Sequence, residues 1–294
     1  MNNIEIVKSN EIENSEMALP IDKIKFSKND TRRSISVPKT LSSVLAEDVG
    51  FHIGDGYMKE RRGNGFVHYE LVYSGDKNDD IDYFKNILIP RKRKLFNLDN
   101  IKIESSSRNN EIKIRTKSKA ILTFFRDVIM VQESPKNHIS TPLWIFKSNE
   151  FQKAFIRGII DSDGTLKFLK KHKNKHYYPV IQICTKSKFL ALDIMKILKN
   201  LNFKANMITV NSYDKRVNRK YLKYYIDLNG VGNLEKWVKE IGFSNMKHKS
   251  KYLLWERHGY CDIGTTTSER MGKWWAHSDT RSFLVQIFSK GASN

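Results

Sequence analysis

The sequence predicts an α+β fold built from two pseudo-symmetric αββαββα halves, with antiparallel sheets and two helices packed at the centre. Three observations carry this expectation. One order of elements, helix, hairpin, helix, hairpin, helix, runs through residues 41–147 and again through 148–257. The opening helix of each half stops at an Asp-Gly pair, Asp55-Gly56 and Asp163-Gly164. Aligning those glycines puts Gly50 on Gly158 and Gly54 on Ser162, so small residues recur at one offset.

Each element has its own signal. Leu41, Val44, Leu45, Val49 and Ile53 have helical spacing after Pro38. Strand-like runs at 57–60 and 67–73 flank the turn RRGNG, whose Asn-Gly pair marks a hairpin. A helix follows over about 80–88. A second hairpin has arms 101–104 and 111–115, and a helix over 119–130 closes the half. In the second half, Ser148 or Asn149 caps a helix marked by Phe151, Phe155, Ile156, Ile159 and Ile160. Strands 165–169 and 178–184 flank the loop KKHKNKH, and a helix spans 189–201. Strands 207–211 and 221–228 flank SYDKRVNRK, and a helix over 233–241 ends the unit.

Composition narrows the function classes. The 294 residues are 39% hydrophobic, enough for a sizeable core. No run approaches the ~20 apolar residues of a membrane helix. The first 17 residues lack an apolar stretch and carry Glu5, Glu11, Glu13 and Glu16, which argues against a secretory signal or transit peptide. Cys184 and Cys261 form no CxxC pair, so neither a disulfide framework nor a zinc site is expected. An intracellular protein follows, of cytoplasm or nucleoid, with an organelle matrix as the other compartment.

Charge points to the partner. Lys plus Arg number 52 against 32 acids, a net +20, and a polyanion such as nucleic acid is the expected ligand. The plain alternative is a generally basic soluble protein, but the charge sits on hairpin tips. Lys59, Arg61 and Arg62 occupy the first, and Lys167, Lys170, Lys171, Lys173 and Lys175 its counterpart. Lys215, Arg216, Arg219, Lys220 and Lys223 occupy the last. Such ribbons fit the major groove of DNA. Lys77 and Lys186 follow the second strand of each half, in SGDK and CTK, and Gln182 lies on a strand face with Lys167. The interleaved Tyr57, Tyr69, Tyr73, Tyr177 and Tyr178 read as cross-strand packing more than base contacts. The run at 91–94, RKRK, reads as a solvated helix end or a backbone clamp. Residues 1–40 form an N-terminal extension whose alternation at 24–27 suggests a short strand or a DNA-contacting arm.

The paired motif carries the chemistry. Small residues four apart let two helix backbones approach, which would bring Asp55 and Asp163 together. A helix C-terminus exposes carbonyls and the negative end of its dipole. Each acid, with the carbonyls of Gly54 and Ser162, then makes an oxygen-rich site for a hard cation such as Mg2+. Two such sites suit phosphodiester hydrolysis, one ion activating water and another stabilising the leaving oxygen. A lone Asp-Gly after a helix is usually just a turn. Two at equivalent places in a duplicated, strongly basic chain favour metal.

These segments, LAEDVGFHIGDGYM and AFIRGIIDSDGTL, with STPLWI before the second motif and SNMKHKSKYLLW after the last helix, resemble the LAGLIDADG homing endonucleases in their single-chain, two-motif form. The resemblance covers about residues 41–257. It implies a saddle of antiparallel strands on double-stranded DNA, bound by a monomer that needs no protein partner. It also implies double-strand cleavage of a long asymmetric target with two or three Mg2+ ions, Mn2+ substituting, and an intron-encoded origin. The motif's final acid maps to Asp55 and Asp163 as metal ligands. Ile53 departs from the pattern where Asp161 keeps an earlier acid. Lys136 in SPKNH and Lys247 in NMKH follow the closing helices and would act on the developing charge or orient water, with phosphate contact or plain solubility as the other reading. Lys77 and Lys186 are weaker candidates for the same role. His52 reads as packing, and residues 258–294 as a C-terminal extension of unknown role. Alternatives are an RNA maturase on this fold, a non-cleaving DNA-binding protein, and a protein-splicing element with a nuclease insert. Both acids count against the second, and the lack of flanking self-splicing blocks against the third.

Overall fold

The computed structural model describes residues 18–63, 65–133, 136–214 and 218–276. Asn64, Lys215, Arg216, Arg281 and the N-terminal stretch 1–17 lie outside the described residues.

The segment before the first motif is neither strand nor free arm over 24–27. Ile24 and Ile35 enter the core. Between them α1 (Lys28–Arg32) is closed by a capping box of Ser27 and Asp30. Asp30 is fully buried and also accepts from Ala120 N at 3.2 Å, which ties this segment to the closing helix of the first half.

The first half then runs α2 (Ser43–Asp55), β1 (Gly56–Gly63) and β2 (Phe66–Asp76). Ser42 caps α2 by accepting from Leu45 N at 3.2 Å. The Asp-Gly pair was expected to lie past the helix end, yet α2 includes Asp55 and Gly56 begins the strand. Next comes a helical run, α3 (Ile81–Tyr83), a π turn (Phe84–Leu88) and α4 (Ile89–Phe96). It passes the expected stop near residue 88. Pro90 within a helix loses a backbone bond and crowds the carbonyl four residues back. Here the wider π turn directly precedes it, and the helix continues. β3 (Ile103–Ser105), β4 (Glu111–Lys117), α5 (Lys119–Thr123) and a second π turn (Phe124–Val128) complete the half.

The second half repeats the order with α6 (Asn149–Ser162), β5 (Thr165–Leu169), β6 (Tyr178–Thr185), α7 (Lys188–Asn200), β7 (Ala205–Asp214), β8 (Arg219–Asn229) and α8 (Val231–Glu240). Two helices follow, α9 (Met246–His258) and α10 (Thr267–Trp275). The sheets are antiparallel with orders β1-β2-β4-β3 and β5-β6-β8-β7, one topology used twice. Inward strand positions such as Met58, Leu71, Ile114, Leu166, Ile183 and Ile226 are buried against helices. The other faces are polar and basic, the pattern of one-sided antiparallel sheets. No helix among the described residues is long and apolar enough to cross a membrane.

The two halves join where α2 meets α6. A β-carbon added at Gly50 would overlap the backbone carbonyl of Phe155, and one at Gly158 that of Glu47. At Gly54 it would overlap the Ser162 side chain. The backbones therefore touch, as the small-residue offset predicts. Leu45, Val49, Phe155 and Ile159 flank the contact and are buried, each worth roughly 1.5–3 kcal/mol.

Charged groups also lie beneath this interface. Glu47 accepts from Arg91 of its own half, from Arg157 Nε on α6 at 2.9 Å and from Ser244 Oγ at 3.1 Å. Burial works against its charge, but Arg91 and Arg157 prevail and hold the carboxyl below its ordinary value. Asp48 pairs with Lys92 at 2.8 Å, and Lys92 reaches Tyr73. Arg91 and Lys92 are thus buried and paired, not the solvated run or clamp the sequence suggested; Arg93 and Lys94 alone face solvent.

Gly50→Ala is expected to destabilise the chain by about 3 kcal/mol, the upper end of overpacking costs. Gly272→Ala, in α10 where nothing lies within 4 Å of the added carbon, should stabilise it by about 1 kcal/mol. Urea denaturation of both variants measures the contrast.

Candidate active site

The close approach of α2 and α6 brings their C-termini together, and the charge of Asp163 reaches Asp55. Burial first, then Asp163, raises the Asp55 carboxyl to about 7, while Lys247 and Lys136 pull the other way. Solvent reaches Asp163, yet the packed protein around it still raises its carboxyl, against Lys136 and Lys247. A cavity of about 250 Å³ opens here, lined by Gly54, Asp163, Lys136, Cys184, Thr185 and Lys223 among others.

Both sequence-chosen lysines arrive at this point. Lys136, on a short 3-10 turn (Lys136–His138), donates to the carbonyls of Ile53 at 2.8 Å, His52 at 3.2 Å and Gly54. Burial lowers its ammonium below the usual lysine value, with Asp163 and Asp55 opposing. Lys247 donates to Ser162 O at 3.4 Å and pairs with Asp80 at 3.2 Å. Each ammonium sits on the carbonyl end of one motif helix. The chosen carbonyls of Gly54 and Ser162 are therefore lysine acceptors in this state.

Supporting residues differ between the two helix ends. Asp161 is buried and accepts from Ser244 N at 2.9 Å and Asn245 N at 3.1 Å, docking α9 onto the end of α6. His248 Nδ1 accepts from Leu166 N at 3.4 Å, so its Nε2 carries the proton and donates to Ile160 O at 3.0 Å. On the other side, His52 Nδ1 lies 3.0 Å from Tyr73 Oη, and burial pushes its imidazole well below the ordinary value. His52 packs against Phe125 and Tyr73 and does not face the acids.

The outward sheet faces flank the acids with basic groups. In the first sheet, Lys59 and Arg61 share that face, whereas Arg62, paired across from Val67, stands on the opposite one near Glu60. Lys113, Arg115 and Lys117 of β4 lie on the outward face and were missed. The alternation EIKIRTK, apolar at every second place, was the signal that would have found them. In the second sheet Lys167, Gln182, Lys223 and Arg219 face outward, and Gln182 donates to Asp227 at 2.6 Å. Lys220 lies on the other face. Lys77 and Lys186 are exposed just beyond β2 and β6. In the loop after β5 Lys170 is exposed, and Lys171, Lys173 and Lys175 lie over the rings of Tyr178, Tyr177 and Tyr260 at 3.3, 4.9 and 4.4 Å. Those tyrosines support cations, a role the sequence reading did not assign.

A duplicated α+β unit, joined through a helix pair with an acid at each end, defines the structural class. The family comparison agrees: residues 150–242 match the model of the LAGLIDADG-like domain, and the resemblance read from the motifs is borne out. No curated protein matches the sequence. Among solved structures, the chain is similar to I-DmoI in complex with DNA and calcium, at 18% identity and TM-score 0.46, covering 68% of this chain and 88% of that one. It is also similar to the LAGLIDADG homing endonuclease I-GzeII in complex with its DNA target, at 11% identity and TM-score 0.45, covering 88% and 99%.

The raised Asp55 carboxyl makes stability depend on pH in metal-free solution. Its folded-state value, about 7, exceeds the ordinary 3.8. Below pH 3.8 both states hold the proton and nothing changes. As pH rises toward 7 the unfolded chain releases it first, and stability falls. Above 7 the penalty is complete, on the order of 4 kcal/mol. Asp55→Asn should therefore be more stable than the parent at pH 8 in chelator, and nearly equal to it near pH 4. Denaturation at the two pH values decides.

Proposed function

We propose that the chain is a site-specific DNA endonuclease that makes double-strand breaks in a long asymmetric target, with divalent metal, as a monomer encoded within an intron. The observation carrying this reading is the meeting of Asp55 and Asp163 at two helix ends, between two outward basic sheet faces. The donor set fits Mg2+. It is all oxygen, the carboxylates of Asp55 and Asp163 at the ends of α2 and α6. Mg2+ characteristically takes one or two carboxylates and fills its shell with water and phosphate oxygens. Asp55 and Asp163 would hold it, and the bound ions would supply Lewis acidity and an activated water.

The chain's own residues do the rest. Lys59, Arg61, Arg115 and Lys223 face the duplex and neutralise phosphates, while Lys167 and Gln182 on the strand face read base pairs. The two halves differ at nearly every hairpin position, so the target read by one chain is asymmetric. Lys136 and Lys247, each held at a helix end, present an ammonium to the charge that develops on the scissile phosphate. Each centre acts on one strand. Intracellular residence, in the cytoplasm, nucleoid or an organelle, accompanies this reading.

Asp55→Asn and Asp163→Asn should each lower cleavage by more than about a thousandfold while leaving DNA binding intact. The substrate is DNA that joins the sequences flanking the coding segment. Near-normal cutting by either variant would sink the reading. Changing Lys170, Lys171, Lys173 and Lys175 together to Ala should weaken binding alike across target sequences. The slope of log K against log salt should drop by about 0.9 per lost phosphate contact. An unchanged slope would show a solvated loop.

A further inference from the structure

Lys247 is held differently from Lys136, and the difference leads to the C-terminal segment. Lys136 donates to three carbonyls of its own half. Lys247, on the second half, instead reaches across to a first-half carboxylate, Asp80 Oδ1. Asp80 is nearly buried and fixed on both oxygens: Oδ1 also accepts from Asn245 Nδ2 at 2.8 Å, and Oδ2 from Asp76 N at 2.9 Å. At the corresponding start of α7 stands Ser187, whose hydroxyl donates to Ile139 O at 2.6 Å.

The neighbouring acid binds the last helix. Asp79 Oδ1 accepts from Thr267 N at 2.9 Å and Thr267 Oγ1 at 2.6 Å, at the start of α10. Arg270, 1% exposed, then connects α10 to α9. It donates to Lys247 O at 3.2 Å, Ser250 Oγ at 2.8 Å and Thr267 Oγ1 at 3.0 Å, and lies 3.7 Å from Asp79. One first-half loop, 76–80, thus grips Lys247 by its ammonium and α10 by its first turn. Arg270 holds the same lysine by its backbone.

We propose that the segment 259–275 is a clasp for the active site, with Asp80 and Arg270 the positioning residues that set Lys247. A lysine left free would lose side-chain entropy each time it met the phosphate. One restrained by a charge-assisted bond and a fixed backbone has less left to lose. The two centres are therefore unequal: among the described residues Lys247 has a carboxylate in a close ion pair, at 3.2 Å, whereas Lys136 feels Asp163 and Asp55 without one.

The proposal rests on the nuclease reading, and its test separates the two. Asp80→Asn should slow cutting of one strand by about tenfold or more. The other strand should stay within about twofold, so nicked plasmid accumulates. Target binding, measured with calcium replacing magnesium, should not change. Combined with Lys247→Met, Asp80→Asn should add little to the loss from Lys247→Met alone. Thr267→Val, away from the reacting atoms, should give a smaller loss on the same strand. Equal slowing of both strands, or losses that multiply, would overturn the proposal, because general destabilisation does not choose a strand. Where the parent chain cuts no DNA under any divalent ion, the nuclease reading itself has failed, and amide exchange still reads the clasp. Faster exchange over 246–250 in both Asp80→Asn and Thr267→Val supports it, and unchanged exchange rejects it.

Discussion

The α2 and α6 backbones touch at Gly50 and Gly158, with the Ser162 side chain packed on Gly54, and that contact governs the distance between the acids. A side chain at any of these places would push the helices apart. Helix packing ordinarily separates axes by 8–10 Å, set by the side chains between them. With little besides glycine hydrogens and the Ser162 hydroxymethyl in the way, the C-terminal turns converge and Asp55 meets the charge of Asp163. Burial there, and then the charge of Asp163, raises the Asp55 carboxyl, a local instability of the kind that clusters at functional sites.

An interface made only of glycine and apolar side chains would permit sliding along the helix axis. Glu47 restricts it. Its carboxylate joins Arg91 from the first half to Arg157 from the second, beside the Gly158 contact. Buried ion pairs are a weak source of net stability because desolvation offsets attraction. Their directional demand is high, however, and losing one partner leaves an uncompensated charge. At Glu47 the geometry therefore contributes register more than free energy.

The parts of the fold legible in the sequence were those with a local period. Helix stripes, the Asn-Gly hairpin and the repeated Asp-Gly stop all lie within short windows, and each led to the right element. Parts decided by distant partners were not legible. Arg91 and Lys92 look like a solvated run because their acids, Glu47 and Asp48, stand 44 residues earlier. The helix past Pro90 was cut short because a π turn leaves no mark in composition. Arg62 was grouped with Arg61 though strand alternation turns it to the other face. Lys113, Arg115 and Lys117 were readable, and needed only the period-two test applied to β4. At the site, the two acids and two lysines were found by pairing the halves. Asp80 escaped, as did the roles of Asp161 and His248, since each role is visible only from what the residue touches.

That last group shows how a duplicated chain stops being symmetric. Pairing finds what the halves share: an acid at each helix end and a lysine on each set of terminal carbonyls. The residues around them then diverge. Asp161 fixes α9 against α6, while Ile53 at the equivalent place is a buried hydrocarbon. His248 links α6 to β5 through two backbone groups, while Lys136 sits on a three-residue turn and meets α2 directly. Fusing two halves into one chain removes the requirement that one surface serve both sides of a two-fold axis. Each helix end then acquires its own supports, and covalent linkage lets a loop of one half, 76–80, hold a lysine of the other.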